Sequence, residues 1–188
     1  MGTKFEQANA DFSDLAHIAS QSQIYPYIFP QPSVLSFEST SLNMGERQRV
    51  LDGEMGIDRI ISISNGFNGP IKFTIQERFR RKEYSSYKDI TITEWNHATN
   101  QPSELHKLHS NLFVYGYYDE KVDFFYDWIV INTSNLVRSI INKEINYQRR
   151  RNKKDQTFLT ITFAEMNKTG GIIVDNMGSH FLFNPTNK

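Results

Sequence analysis

Apolar side chains recur at three- and four-residue spacing at the start of the chain: Phe5, Ala8, Phe12, Leu15, Ala16 and Ala19. That period puts them on one face of an α-helix over residues 5–22. It then stops. Pro26, Pro30 and Pro32 sit among Tyr and Phe, so residues 24–42 read as an ordered, extended loop. A short second helix is predicted over Asn43–Leu51. From Asp58 the chain becomes rich in β-branched and aromatic residues. Arg59–Ser64 reads as a strand, Asn65–Pro70 as a turn, and Ile71–Phe79 as the antiparallel partner. Asp89–Trp95 is a third strand, with Ile90 and Ile92 alternating with Thr91 and Thr93. Asn96–Pro102 is turn-like, and Ser103 is a predicted N-cap for a short helix. The apolar run 111–118 reads as a central strand and Trp128–Asn132 as another. Thr133 or Ser134 is expected to cap a helix with Leu136, Val137, Ile140, Ile141 and Ile145 on one side. That helix is expected to run into the basic stretch at 147–154. Phe158–Phe163 is the last clear strand, and Ile172–Val174 a short addition.

This order predicts one mixed α/β (α+β) domain over residues 1–188, with a mixed central β-sheet flanked by helices. No linker or internal repeat divides it. Of 188 residues, 38% are apolar and 13% aromatic, enough to fill a core, and the 9 Tyr and 14 Phe favour strands. There is no Cys, which excludes disulfides, thiolate zinc sites and a cysteine nucleophile. No apolar run reaches the length of a membrane helix and no secretory leader is visible at the N-terminus, so a cytoplasmic location is expected.

Lys and Arg number 21, and so do Asp and Glu, which argues against a purely electrostatic nucleic-acid binder. The cations are nevertheless clustered. Arg78, Arg80, Arg81 and Lys82 form one group, Arg149, Arg150, Arg151, Lys153 and Lys154 a second, and Arg47 and Arg49 a weaker third. A neutral chain with basic patches is compatible with an enzyme acting on nucleic acid, and equally with solvated charged faces.

The most informative stretch is Asp58 followed, one hairpin later, by Gln76-Glu77-Arg78. If the two strands pair, Asp58 and the triplet reach the same end of the sheet, and alternation puts Gln76 and Arg78 on one face. An anionic oxygen, a neutral oxygen and a cation would then converge. Phosphodiester hydrolysis uses that mixture: carboxylate and carbonyl oxygens hold Mg²⁺, and a nearby cation stabilises phosphoryl charge. Under a register shifted by one, Glu77 and Phe79 would face the site instead.

These residues resemble the PD-(D/E)XK nuclease superfamily, which has an Asp at a strand start, a hairpin, and then (D/E)-x-K on the next strand. The resemblance covers roughly residues 44–145 and implies a restriction-endonuclease-like core. It departs from the pattern at Gln76, which stands for the acid and remains an oxygen ligand, and at Arg78, which stands for the lysine. Arg does not deprotonate and so cannot act as a base. The resemblance implies a metal-dependent DNA endonuclease, with a type II restriction enzyme as its most concrete form. Asp58, Gln76, Glu77 and Arg78 would be catalytic. Asp58 and Gln76 would hold Mg²⁺, with Mn²⁺ as a substitute. Arg80, Arg81, Lys82, Arg149, Arg150 and Arg151 would contact DNA phosphates. A homodimer is compatible with this reading. Glu46, Asp52, Glu54 or an acid of the first helix (Glu6, Asp11, Asp14) would complete the site.

The alternative is a catalytically inactive nucleic-acid-binding protein on the same fold, for which the Gln and Arg departures are the sign. An accessory protein whose basic patches only solubilise it is a third reading. His106 and His109 lack the frame of a zinc site. Tyr84, Tyr87, Trp95, Tyr115, Tyr117 and Tyr118 are candidates for stacking on bases, with Tyr115 and one of Tyr117 and Tyr118 expected to pack in the core because they lie in an apolar strand.

Overall fold

A computed structural model describes residues 4–29, 34–39, 50–52, 54–64, 69–153 and 155–177. The chain begins with α1 (Lys4–Gln23) and a single helical turn, α2 (Tyr25–Ile28). Then come β1 (Val34–Ser39), β2 (Arg59–Ser64) and β3 (Pro70–Arg81). A 3₁₀ segment, Lys82–Tyr87, leads to β4 (Asp89–Asn96) and β5 (Gln101–Pro102). After a second 3₁₀ turn (Glu104–Lys107) come β6 (Leu112–Asp119), β7 (Phe124–Asn132) and α3 (Thr133–Ile141). The chain continues through β8 (Gln148–Arg151), β9 (Gln156–Thr162), α4 (Phe163–Met166) and β10 (Ile172–Asp175).

The central sheet is mixed and six-stranded, in the order β1-β2-β3-β6-β7-β10. Every pair in it is antiparallel except β3 with β6. A second, four-stranded sheet has the order β5-β4-β9-β8. The expected mixed α/β architecture with helix-flanked central sheet is therefore present.

The reason β6 reads as an unbroken apolar run is that it is covered on both faces. Leu112, Val114 and Tyr118 pack with Phe12, Ala16 and Ala19 of α1 and with Ile61, Ile75, Trp128 and Val130. Phe113, Tyr115 and Tyr117 pack on the other face with Ile90 and Ile92 of β4, Leu159 and Ile161 of β9, and Leu136 and Ile140 of α3. Two hydrogen bonds anchor the second layer: Tyr117 Oη donates to the Asp89 carbonyl at 2.7 Å, and the Tyr115 and Thr91 hydroxyls lie 3.3 Å apart.

Four local expectations change. Val34–Ser39, inside the predicted loop, is an edge strand paired with β2, since the prolines lie outside it. The third strand, β4, leaves the central sheet to pair with β9, because β6 occupies the place beside β3. The cap of α3 is Asn132, whose Oδ1 accepts from Asn135 N–H at 3.0 Å.

That helix also stops sooner than expected. Lys143 is left-handed at φ 57, and Glu144 N–H bonds Ser139 carbonyl at 2.9 Å. This Schellman-type closure leaves Ile141 72% exposed, and residues 148–151 form a strand rather than a helical tail. Most of Asn43–Leu51, with Glu46, Arg47 and Arg49, lies outside the described residues, as do most of the 65–70 turn and Lys154. Among the described residues no helix is long and apolar enough to cross a membrane.

Leu159 is fully buried where the second sheet meets the first. Leu159→Ala is expected to cost about 2–5 kcal/mol of stability, read as a lowered midpoint in urea.

Candidate functional site

The site is created where β2 ends before β3 does. Their ladder closes at Arg59 opposite Ile75, whereas β3 continues beside β6 as far as Arg81 opposite Tyr118. From Gln76 onward, β3 has a strand on one side only among the described residues. The open edge is flanked by α1 on one face and by the second sheet on the other.

Asp58 sits where β2 quits. Its N–H bonds the Ile75 carbonyl at 2.8 Å, and its Oδ2 accepts Glu77 N–H at 2.6 Å. The residue thus brackets Gln76, and the hairpin brings the sequence-predicted pair side by side. Gln76 Oε1 is buried and has no hydrogen-bond partner among the described residues. The approach is tight: at Gly56, φ is +57, and a Cβ would come within 2.7 Å of the Lys107 carbonyl oxygen and 3.0 Å of Gln76 Oε1. Glycine therefore meets both the left-handed backbone and the close contact there. Burial pushes the Asp58 carboxyl up to about 7, partly offset by the Glu77 amide and the charge of His17, with Glu77 and Asp52 adding to the rise.

Alternation then separates the triplet. Arg78 turns toward the second sheet and pairs with Glu104 Oε2, which also accepts Thr93 N–H at 3.1 Å. Glu104 Oε1 is buried without a partner. Glu77 turns the other way and is enclosed against α1. Its Oε1 accepts Ser20 Oγ at 2.6 Å and Tyr25 Oη at 2.7 Å. Its Oε2 lies 2.6 Å from His17 Nδ1 and 3.3 Å from Arg59 Nε. Burial opposes its charge, but hydrogen bonds from His17, Ser20 and Tyr25 and the charge of His17 prevail, leaving its pKa below the ordinary value.

A cleft of about 590 Å³ runs along the open edge of β3. Glu77, Arg78, Phe79 and Arg80 form its floor, His17 one wall, and Thr93, Asn152 and Gln156 part of the other. Asp58 and Gln76 lie just beyond this lining. His17 was not singled out from sequence; its only local signal is a polar pair with Ser20, three residues on, beside the apolar face of α1.

The predicted phosphate contacts are not clustered in one place. Arg80 pairs with Asp89 at 3.0 Å, with its guanidinium 4.6 Å from the Tyr84 ring. Arg81 lies against Phe12 and 3.6 Å from Glu120, and Lys82 is 3.3 Å from Asp119. On edge strand β8, Arg149 grips Glu94 at 2.8 Å, Arg151 pairs with Asp155, and Arg150 bonds Gln148 at 2.6 Å.

Among the upstream acids, Asp52 is the one coupled by charge to Asp58 and His17. Glu54 and Asp14 are exposed, Asp11 is tied to Gln7, and Glu46 lies outside the described residues. No three His, Cys, Asp or Glu side chains among the described residues group in a way that could hold a metal. His106 and His109 are exposed, with His106 edge-on to Trp95.

No protein-family model matches this sequence, and no curated protein matches it. Among solved structures, restriction endonuclease MspI in complex with its cognate DNA is similar, with a TM-score of 0.40 and 11% sequence identity over 67% of this chain and 70% of that one. The fold described above stands on its own strand order and layers.

The titrating groups predict a pH profile for stability. Asp58, raised in the fold, holds a proton that the unfolded chain has released, so stability falls as pH climbs from about 4 to about 7. His17, also raised, contributes below about 6.5, and that contribution is lost as pH rises through its folded value. Glu77, lowered, loses its contribution only as pH drops through its folded value, below about 4. The expected melting temperature is highest in the mildly acidic range, and Asp58→Asn should flatten the decline toward neutral pH. A decline of the same steepness in that variant would show that Asp58 is not its source.

Proposed function

We propose that the protein is a metal-dependent endonuclease hydrolysing DNA phosphodiester bonds, with Mg²⁺ as the cation and Mn²⁺ as a substitute. The observation that carries this reading is the buried, unpartnered Gln76 Oε1 beside the Asp58 carboxylate, where β2 ends. A buried carbonyl oxygen without a donor costs roughly 1–3 kcal/mol, which a bound cation would remove. Mg²⁺ takes one or two protein oxygens and fills its remaining positions with water and phosphate, so two residues are a sufficient donor set. When bound, the metal would polarise the phosphoryl group and lower the pKa of water.

The chain's own groups then supply orientation and charge. Arg78 is held by Glu104 at one nitrogen and keeps further N–H donors for a phosphate oxygen. The exposed cations Lys82, Arg149, Arg150 and Arg151, with Arg80 and Arg81, would contact the DNA backbone. The surface ion pairs of Lys82, Arg149 and Arg151 are weak enough to exchange for phosphate. Because Asn152 lines the cleft, edge strand β8 approaches its rim. A symmetric pair of chains would present one such site to each strand of a duplex.

A second reading is a nucleic-acid-binding protein that does not cut. It is favoured by the number of these cations already engaged: five of the six have acidic partners, and Arg78 has Glu104.

Plasmid and linear DNA incubated with Mg²⁺ or Mn²⁺ should be cut, and not with EDTA. Asp58→Ala should lower cleavage at least about 100-fold while retaining the circular dichroism of the native fold. Salt-sensitive DNA binding without cutting in either metal would favour the second reading. Unchanged cleavage by Asp58→Ala would remove Asp58 from the site.

A further inference from the structure

The endonuclease reading leaves one chemical role unfilled. Something must accept the proton of the attacking water, and Arg78, which stands where a base is expected, stays protonated. The cleft offers another group. His17 projects from α1, its Nδ1 fixed 2.6 Å from Glu77 Oε2. An ionised carboxylate only accepts hydrogen bonds, so Nδ1 carries a hydrogen, and when the ring is neutral its lone pair is on Nε2. Nε2 has no partner among the described residues, and the ring lines the cleft with 20% of the side chain exposed. The ring cannot drift. Phe79 meets it edge-on at 5.4 Å, and Glu77 is itself locked by Ser20, Tyr25 and Arg59. A buried acid thus orients an imidazole that lines a cleft floored by two arginines.

We propose that His17 is the general base of this site, positioned by Glu77, and that the phosphodiester lies in the cleft against Arg78 and Arg80. The inference rests on the endonuclease reading and deepens it. As the water oxygen forms its bond to phosphorus, its proton passes to His17 Nε2. The bond from phosphorus to the leaving sugar oxygen breaks, and that oxygen takes a proton from a solvent water. His17 then returns its proton to solvent. Arg78 and Arg80 stabilise the charge on the phosphoryl oxygens. Glu77 touches no substrate and is a positioning residue. The charged groups facing His17 are Glu77 and Arg59, with Asp58 and Asp52 acting at longer range. Burial lowers its basicity, but the hydrogen bond and charge of Glu77 raise it more, which suits a proton acceptor.

The test uses the full chain, Mg²⁺ and linear duplex DNA. The key variant is His17→Asn, whose amide nitrogen replaces Nδ1 as donor to Glu77 but which cannot accept a proton. His17→Gln serves in its place if the Asn variant fails to fold. The expected result is a loss of about 100-fold or more in kcat, with DNA affinity in EDTA within about 3-fold of wild type. The acid limb of the wild-type pH profile should change in the variant, and added imidazole should partly restore His17→Ala. Cleavage by His17→Asn within about 3-fold of wild type, in a protein where Asp58→Ala is inactive, would overturn the base assignment and leave the endonuclease reading standing. A kcat loss with neither an altered pH profile nor imidazole rescue would also overturn it, reducing His17 to a structural contact. No cleavage by the wild type in Mg²⁺ or Mn²⁺ would overturn both.

Discussion

The buried carboxylate of Glu77 is the constraint on which the rest of this structure depends. A charge without water is tolerated only when donors replace its hydration. Here the donors come from three separate segments: His17 and Ser20 from α1, Tyr25 from α2 and Arg59 from β2. Hydrophobic burial holds α1 against the sheet without fixing its rotation or register, because Phe12, Ala16 and Ala19 can slide over an apolar surface. The carboxylate removes that freedom. It requires His17 and Ser20 to sit above β3 at one height, and so settles where the helix wall of the cleft stands.

A second constraint comes from strand length. If β2 ran as far as β3, the edge at Gln76–Arg81 would be paired and there would be no cleft. Its ladder ends at Arg59, where Asp58 turns its carboxylate onto the Glu77 amide. Each face of the open edge then receives its own wall, because β6 must be covered on both sides. Packing the apolar run of β6 thus builds the cleft as a consequence of filling the core.

Charge is distributed unequally between the two faces of β3. On the α1 face, Glu77 has every oxygen satisfied. On the other, Gln76 and Glu104 each leave a buried oxygen unmatched, and Asp58 is held at the edge of ionisation by burial. Well-packed proteins rarely keep such groups for stability alone. The unsatisfied face has capacity for a ligand.

Much of the fold was legible from residue pattern. The period of three and four in α1, the antiparallel pairing of β2 with β3, and the apolar run of β6 each follow from side-chain geometry, and all are present. The placement of Gln76 and Arg78 together, with Asp58 at the strand mouth, followed from alternation along a hairpin. What pattern left undecided depended on partners distant in the chain. Arg149–Arg151 suits a helix end or an edge strand equally, and pairing with β9 decided it. Asp89–Asn96 has the alternation of any half-buried strand, and its sheet was settled by which neighbour was already taken. His17 and Glu77 are 60 residues apart, and neither carries a local signal of the other. Sequence alone determined most of the elements and the chemistry available along β3. Only the tertiary structure decided that a histidine from the first helix would stand over it, because a buried charge selects its donors in space.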